Sequence, residues 1–551
     1  MRQITVTYPS GEKLAYPAGV KAADVIGRLG ALPWPLAAVL VNNELKSLEA
    51  MLLADCAVAP VTIGTTQGAA TYRRSLCFLL ALAARELHPD RRLVAGMAIG
   101  TGFYHFFDDD RGVSAKDIAA LEGRMRELVG RDVPISVERK AYADAVAYFA
   151  GSAQADTSLL LEHLNDPVIR LNECAGYRDL HVAPLVPSTG VLKTWALHPY
   201  HEGLLLRYPH KETPFELTPF EDDPVLYSIA KEYRERARIL GVSSVGALNR
   251  VSAAKGIKPF IQVAEALQNK KIAAIADKVA ERADKVKVVL LAGPSSSGKT
   301  TTSKKLAIQL KVMGFEPINI SLDDYFVDRE RTPRDEEGNY DFECLEALDV
   351  EYLNQQLLAL FAGEEIELPT FDFKSGSRRP SGKKLRLSGR ELLVIEGIHG
   401  LNDRLTPRIP RDQKFKVYVS ALTQLNLDDH NRVSTTDNRL LRRMVRDYNF
   451  RGHSALATLR MWPSVGRGER KHIFPFQNSA DAAFNSALDY ELGVLKIYAE
   501  PLLRTVKPTD EEYSEAMRIQ AFLDNFAPIP SQFVPKDSIL REFIGESEFK
   551  Y

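Results

Sequence analysis

Gly293-Pro-Ser-Ser-Ser-Gly298-Lys299-Thr300 has the spacing G-x-x-x-x-G-K-T, the strongest chemical signal in the chain. The residue types suit a phosphate. Gly293 and Gly298 let the backbone bend so that successive N–H groups, from Ser295, Ser296 and Ser297 on to Thr301, face an anion. The N-terminus of a following helix adds its dipole. Lys299 can reach β- and γ-phosphates, and the Thr300 hydroxyl can join a Mg2+ shell. Leu392-Leu-Val-Ile-Glu396-Gly397 ends an apolar run in a carboxylate, suited to order that Mg2+ directly or through water. In Ile320-Ser-Leu-Asp323-Asp324-Tyr-Phe326 two acids end another run, where one could take a proton from a hydroxyl as the γ-phosphoryl group moves onto it. Asp323 is the better candidate; Asp324 suits a solvated helix-capping position equally well.

These groups need a frame. Val286–Ala292 reads as a continuous apolar strand and Thr300–Met313 as the helix after it. Further strands are expected at Pro317–Leu322, Glu391–Ile395 and Phe415–Val419. Strands alternating with helices predict an α/β unit with a parallel sheet covered on both faces. Ligands bind at the carboxyl ends of such strands, where the acids and the glycine loop fall. Downstream, Arg439, Arg442, Arg443 and Arg446 are spaced by threes and fours, on about one helical face. Guanidinium forks suit phosphate oxygens; the bland alternative is a solvated basic face paired with Asp437 and Asp447.

The rest of the chain reads as a multidomain protein. Its 551 residues are 45% hydrophobic and 26% charged, which excludes global disorder, and the formal net charge of −1 excludes a dedicated nucleic-acid coat. Four scattered cysteines exclude a disulfide framework. The longest apolar run, Leu76–Ala84, is too short to span a membrane, and no signal peptide is evident, so a cytoplasmic protein is expected. Residues 1–63 predict a β-grasp domain, with strands at Ile4–Tyr8, Lys13–Tyr16, Ala38–Val41 and Val58–Ile63. Gly64–Gly68 reads as a linker, residues 64–225 as α+β, 226–284 as a helical connector, 285–500 as the α/β unit and 501–551 as a C-terminal helical extension.

From Val286 to Glu491 the motifs resemble the uridine kinase/phosphoribulokinase branch of P-loop kinases. Phe342-Glu-Cys-Leu-Glu346-Ala-Leu-Asp349 is similar to its nucleoside-sugar segment, Pro369-Thr-Phe371-Asp372-Phe373 through Arg378 to its base-side segment, and Asp437–Asp447 to its arginine-rich lid. The resemblance implies ATP and Mg2+, with Asp323 as base and Lys299 and Arg442 aiding transfer. It implies Arg439 and Arg446 on the nucleotide phosphates, Thr300 and Glu396 at the metal, and Asp324, Tyr325, Glu343, Phe371, Asp372 and Arg378 around the acceptor. Phe371 and Gly376 stand where uridine kinases place a Tyr and a His that read the pyrimidine.

Residues 1–63 resemble the TGS domain, and the region after them resembles the editing domain of threonyl-tRNA synthetase. At the positions of its His-x-x-x-His pair, Cys and third His stand Arg74, Phe78, Tyr177 and His181, so the resemblance implies a binding module. The expected activity is phosphorylation of a hydroxyl on a nucleoside or related small molecule. The alternatives are a phosphoribulokinase-like sugar-phosphate kinase and a translation-linked, NTP-dependent RNA-binding protein. RNA as a partner and self-association stay open; a membrane partner is not expected.

Overall fold

Val288–Ala292 is buried along its whole length, as its unbroken run of valine, leucine and alanine requires. It lies at the centre of a five-stranded sheet in the order Glu316–Ser321, Glu391–Glu396, Val288–Ala292, Lys414–Ser420, Ala482–Asn485. All neighbouring pairs are parallel. This architecture is that of a computed structural model, which describes residues 2–109, 111–335, 338–372, 375–423 and 425–551. A strand buried on both faces leaves room for polar chemistry only at its ends. Val288, Leu290, Ile320, Leu393 and Ile395 share one core cluster. Each such aliphatic side chain stabilises the fold by about 1.5–3 kcal/mol through burial. The helix Lys299–Val312 follows the central strand.

Several elements of this unit were not expected, the helices Val350–Phe361 and, for most of its length, Glu491–Leu503 among them. Ile366–Asp372 and Ser377–Leu385 form an antiparallel hairpin, Ala482–Asn485 adds the edge strand, and the helix Ala455–His472 tolerates Pro463 within it.

The chain divides into two compact units. The one just described comprises Gly256–Thr423, Thr435–Ala499 and Ile529–Tyr551. The other comprises the chain through Lys255, a short segment bearing Asp428, Asp429 and His430, and Glu500–Pro528. The expected connector and C-terminal extension are therefore each divided between the two units rather than standing alone.

The second unit opens with a mixed sheet in the order Lys13–Pro17, Gln3–Thr7, Cys56–Thr62, Leu36–Val41, Glu44–Lys46. Gln3–Thr7 pairs parallel with Cys56–Thr62, and Ala22, Val25 and Ile26 of the short helix Ala22–Ile26 pack into its core. That is the β-grasp arrangement. The expected linker is instead the start of a helix, Thr66–Leu87: the Thr65 hydroxyl accepts the Gly68 N–H at 3.1 Å and caps it. A four-stranded antiparallel sheet (Ala196–Tyr200, Gly203–Arg207, Gly102–Phe107, Leu93–Ile99), a three-stranded one (Ser136–Ala141, Val168–Cys174, Tyr177–Leu180) and the short pair Val20–Lys21 with Met51–Leu52 complete its strands among the described residues. Among the described residues no helix is long and apolar enough to cross a membrane.

Candidate active site

The glycine loop leaves the central strand where a side chain could not follow. A Cβ on Gly293 would lie 1.8 Å from the Val419 carbonyl oxygen. Gly298 takes φ +79°, a left-handed conformation that opens the helix Lys299–Val312. Lys299 Nζ donates to the Pro294 carbonyl at 3.2 Å, folding back over the loop. Burial pushes the Lys299 ammonium down, while the Glu396 and Asp323 carboxylates pull it back up.

Register brings the acids to the same edge. Glu396 pairs with Leu291 of the central strand on one side and with Ser321 on the other. Its Oε1 accepts from the Thr300 hydroxyl at 3.3 Å and the Ser321 hydroxyl at 3.1 Å. Burial, then the nearby Asp323 charge, pushes the Glu396 carboxyl up to about 7. Thr300 and Glu396 together offer hard oxygen donors beside Lys299. They fit Mg2+, which uses one or two protein oxygens and completes its shell with water and phosphate. Asp323 and Asp324 follow in a single 3-10 turn, Leu322–Tyr325. Asp323 is exposed. Asp324 is half-buried, accepts the Phe371 N–H at 3.2 Å, and is raised by burial.

The arginine helix, Thr435–Arg446, lies against the loop. Arg439 donates to the Ser295 carbonyl at 3.1 Å and forms a two-pronged ion pair with Glu469. Arg443 reaches the Ser295 hydroxyl at 2.9 Å and Arg446 the Ser296 hydroxyl at 3.3 Å. Burial pushes the Arg446 guanidinium down to about 10, and its Nε is buried without a hydrogen-bond partner. Arg442 differs. It is fully buried, its Nε 2.7 Å from Glu491 and its Nη groups on the Ser296 and Ser486 carbonyls at 3.4 and 2.9 Å. Its donors are taken up inside the protein, which makes it a brace behind the loop rather than an open phosphate contact.

The expected acceptor residues do not all converge. Tyr325 and Phe371 are buried in the core, Tyr325 donating to Gln356 at 2.8 Å and Phe371 packing 5.6 Å from the Phe326 ring. Arg378 pairs with Asp349 at 2.9 Å and covers the Tyr352 ring. Asp372 accepts from Ser375 at 2.9 Å at the hairpin turn. Phe373 lies outside the described residues. Glu343 stays near the loop: burial, then the Glu469 charge, raises it to about 7, and it packs so tightly on Gly468 that a Cβ there would come within 2.5 Å.

Four residues near the loop were missed. Glu469 accepts the Ser295 N–H at 3.0 Å, and Glu542 the Thr301 N–H at 3.2 Å. His399, three residues after Glu396, is buried with both ring nitrogens unpartnered, its ring 6.1 Å from that of His472. Only the run Glu396-Gly-Ile-His399 offered a sequence signal; the others approach from distant segments.

In the other unit, Phe78 and Tyr177 belong to a hydrophobic core, while Arg74 and His181 are each tied to polar partners of their own. Phe78 and Tyr177 pack ring to ring at 5.3 Å, and the Tyr177 hydroxyl lies 3.2 Å from His430 Nδ1, itself 2.8 Å from Asp179. His181 Nδ1 is 2.7 Å from Asn172 Oδ1, and burial pushes its imidazole down to about 4. Arg74 donates to the Pro184 carbonyl at 2.9 Å.

Residues 288–492 match the family described as PRK: Phosphoribulokinase / Uridine kinase family. The N-terminal half matches threonine--tRNA ligase. The Burkholderia mallei (strain SAVP1) ligase is 32% identical over 198 residues, 35% of this chain and 31% of that protein. The ligase of Symbiobacterium thermophilum is 29% identical over 196 residues, 35% of this chain and 30% of that protein. The chain thus spans about a third of the length of these curated relatives. Similar solved structures include the possible uridine kinase from Bacillus stearothermophilus, 21% identical over 38% of this chain and 98% of that one, with a TM-score of 0.26. The D-glycerate 3-kinase from Cryptococcus neoformans is 13% identical over 46% of this chain and 87% of that one, with a TM-score of 0.22. The chain thus joins a region similar to the phosphoribulokinase/uridine kinase family to a region similar to threonine--tRNA ligase.

Proposed function

We propose that the protein is a cytoplasmic, ATP- and Mg2+-dependent kinase that transfers the γ-phosphoryl group to a hydroxyl of a nucleoside or related small molecule. The observation that carries this reading is convergence. A complete phosphate loop, Glu396 and Asp323 meet at the carboxyl edge of three adjacent parallel strands, with an arginine helix against the loop. In this reading Asp323 takes the acceptor's proton as the new O–P bond forms and the bond to the β–γ bridging oxygen breaks, releasing ADP. Lys299, Arg443 and Arg446 offset charge on the phosphoryl oxygens, and Arg439 exchanges Glu469 for phosphate. Thr300 and Glu396 would hold Mg2+, which supplies charge neutralisation and in-line geometry when bound.

The acceptor class is less tied to uracil than to a hydroxylated small molecule. Phe371 and Tyr325 are core residues, which leaves Glu343 as the polar group of the nucleoside-sugar segment nearest the loop's charges. A second reading, nucleotide turnover linked to RNA, draws on the threonine--tRNA ligase match. ADP release measured against a panel of nucleosides, sugar phosphates and RNA separates the two. Turnover that rises with a small hydroxylated acceptor is the expected outcome; turnover that rises only with RNA favours the second.

A further inference from the structure

The phosphate loop is met at both ends by carboxylates of this chain. Glu542 Oε2 accepts the Thr301 N–H at 3.2 Å and the Thr301 hydroxyl at 2.6 Å. The Tyr551 hydroxyl lies 2.8 Å from the same Thr301 oxygen. At the other end Glu469 accepts the Ser295 N–H at 3.0 Å. Both amides belong to the run that such a loop turns toward an anion. An N–H cannot serve a carboxylate and a phosphate oxygen with full strength at once, and the two anions repel.

The segment that delivers Glu542, Ile529–Tyr551, belongs to the same compact unit as the loop. Ile539, Leu540 and Phe543 are fully buried, and Phe543 lies beneath the Arg442 and Arg446 guanidinium groups at 5.0 and 5.9 Å. Ile539 packs on Gly298, so closely that a Cβ there would come within 2.5 Å. The end of the segment is looser in its burial: Tyr551 is 59% exposed. The carboxylates also leave two polar groups of the region unserved, because the Ser297 hydroxyl and Arg446 Nε are buried without hydrogen-bond partners.

We infer that the C-terminal segment is a built-in competitor for nucleotide: Glu542 occupies the place of a phosphate oxygen, and a bound nucleoside polyphosphate displaces the Glu542–Thr301–Tyr551 contact. The inference rests on the reading of the loop as a nucleotide site. Its test uses the full-length protein, Mg2+ and a fluorescent N-methylanthraniloyl ATP. Glu542→Gln keeps the shape and removes the charge, so affinity should rise by about tenfold or more, the scale of one hydrogen bond to a charged group. Tyr551→Phe, which removes only the hydroxyl that meets Thr301 and Ser547, should raise it less. In the wild type, saturating nucleotide should increase hydrogen–deuterium exchange over residues 541–551, a readout that needs no variant to fold. Unchanged or weaker binding by Glu542→Gln, or unchanged exchange in that segment while nucleotide is bound, overturns the inference and leaves the nucleotide site standing. Absence of binding by the wild type and both variants overturns the site reading itself.

Discussion

Asp323 stands exposed after its strand, whereas Asp324, one residue on, is half-buried and bound to the Phe371 N–H at 3.2 Å. The proposed base must meet an acceptor hydroxyl, and only the first of these carboxylates is open to one. Asp323→Asn nearly keeps the carboxylate's shape but cannot take a proton near neutral pH. ATP affinity should change little while transfer falls by ~10²–10⁴-fold, the range for general-base catalysis. Asp324→Asn should loosen the hairpin contact and spare the chemistry. Steady-state kinetics with direct ATP binding checks both, and the reverse pattern would reassign the base. The adjacency of the acids is legible in the sequence. Their opposite surroundings are not, because Phe371 comes to Asp324 from another element.

At the scale of elements, four of the five parallel strands are legible. Val288–Ala292 and the apolar stretch of Glu391–Glu396 stand out as continuous apolar runs, because strands buried on both faces admit little else, whereas Glu316–Ser321 and Lys414–Ser420 mix polar residues into theirs. Ala482–Asn485 is too short to show, and the hairpin partner Ser377–Leu385 is hidden by its Pro380, Gly382 and basic residues. The arginine helix is legible by spacing, but not which face of it each guanidinium serves. Arg442 is pinned between Glu491 and the Ser486 carbonyl, both fully buried. Arg442→Ala would strand the Glu491 carboxylate without its cation, and breaking such a buried pair costs about 3–5 kcal/mol. Urea unfolding should report that loss, and Arg442→Met with Glu491→Gln should recover part of it. A loss no larger than that of an exposed pair, under ~1 kcal/mol, would contradict the brace.

The whole molecule carries a second set of titrating groups, in the other compact unit. Burial alone would lower the His430 imidazole, but the Asp179 carboxylate outweighs it and raises His430 to about 9. A histidine held above its ordinary value near 6.5 stabilises the fold fully below that pH, and the contribution is lost as pH rises through 9. Asp428, raised to about 8 by burial and then by the Asp179 charge, acts in the same direction, since its ionisation in the fold is disfavoured. The melting temperature should therefore fall between pH 6.5 and 9, and fall less in His430→Asn. Equal slopes in the two proteins would remove this cluster from the account. The phosphate-loop unit was legible because the glycine loop is a local motif, the consecutive residues Gly293 to Thr300. The division of residues 226–284 and 501–551 between units was not, since it depends on contacts between distant segments. The central claim, that this loop drives phosphoryl transfer to a small hydroxyl, is tested most directly by tracing the label of γ-labelled ATP. With Mg2+ and a panel of nucleosides and sugar phosphates, the label should move onto one class of acceptor. In folded Lys299→Ala that transfer should fall by ~10²-fold or more, as the lost cation no longer stabilises the transition state. Label that reaches no small acceptor, or transfer undiminished in Lys299→Ala, would contradict the account.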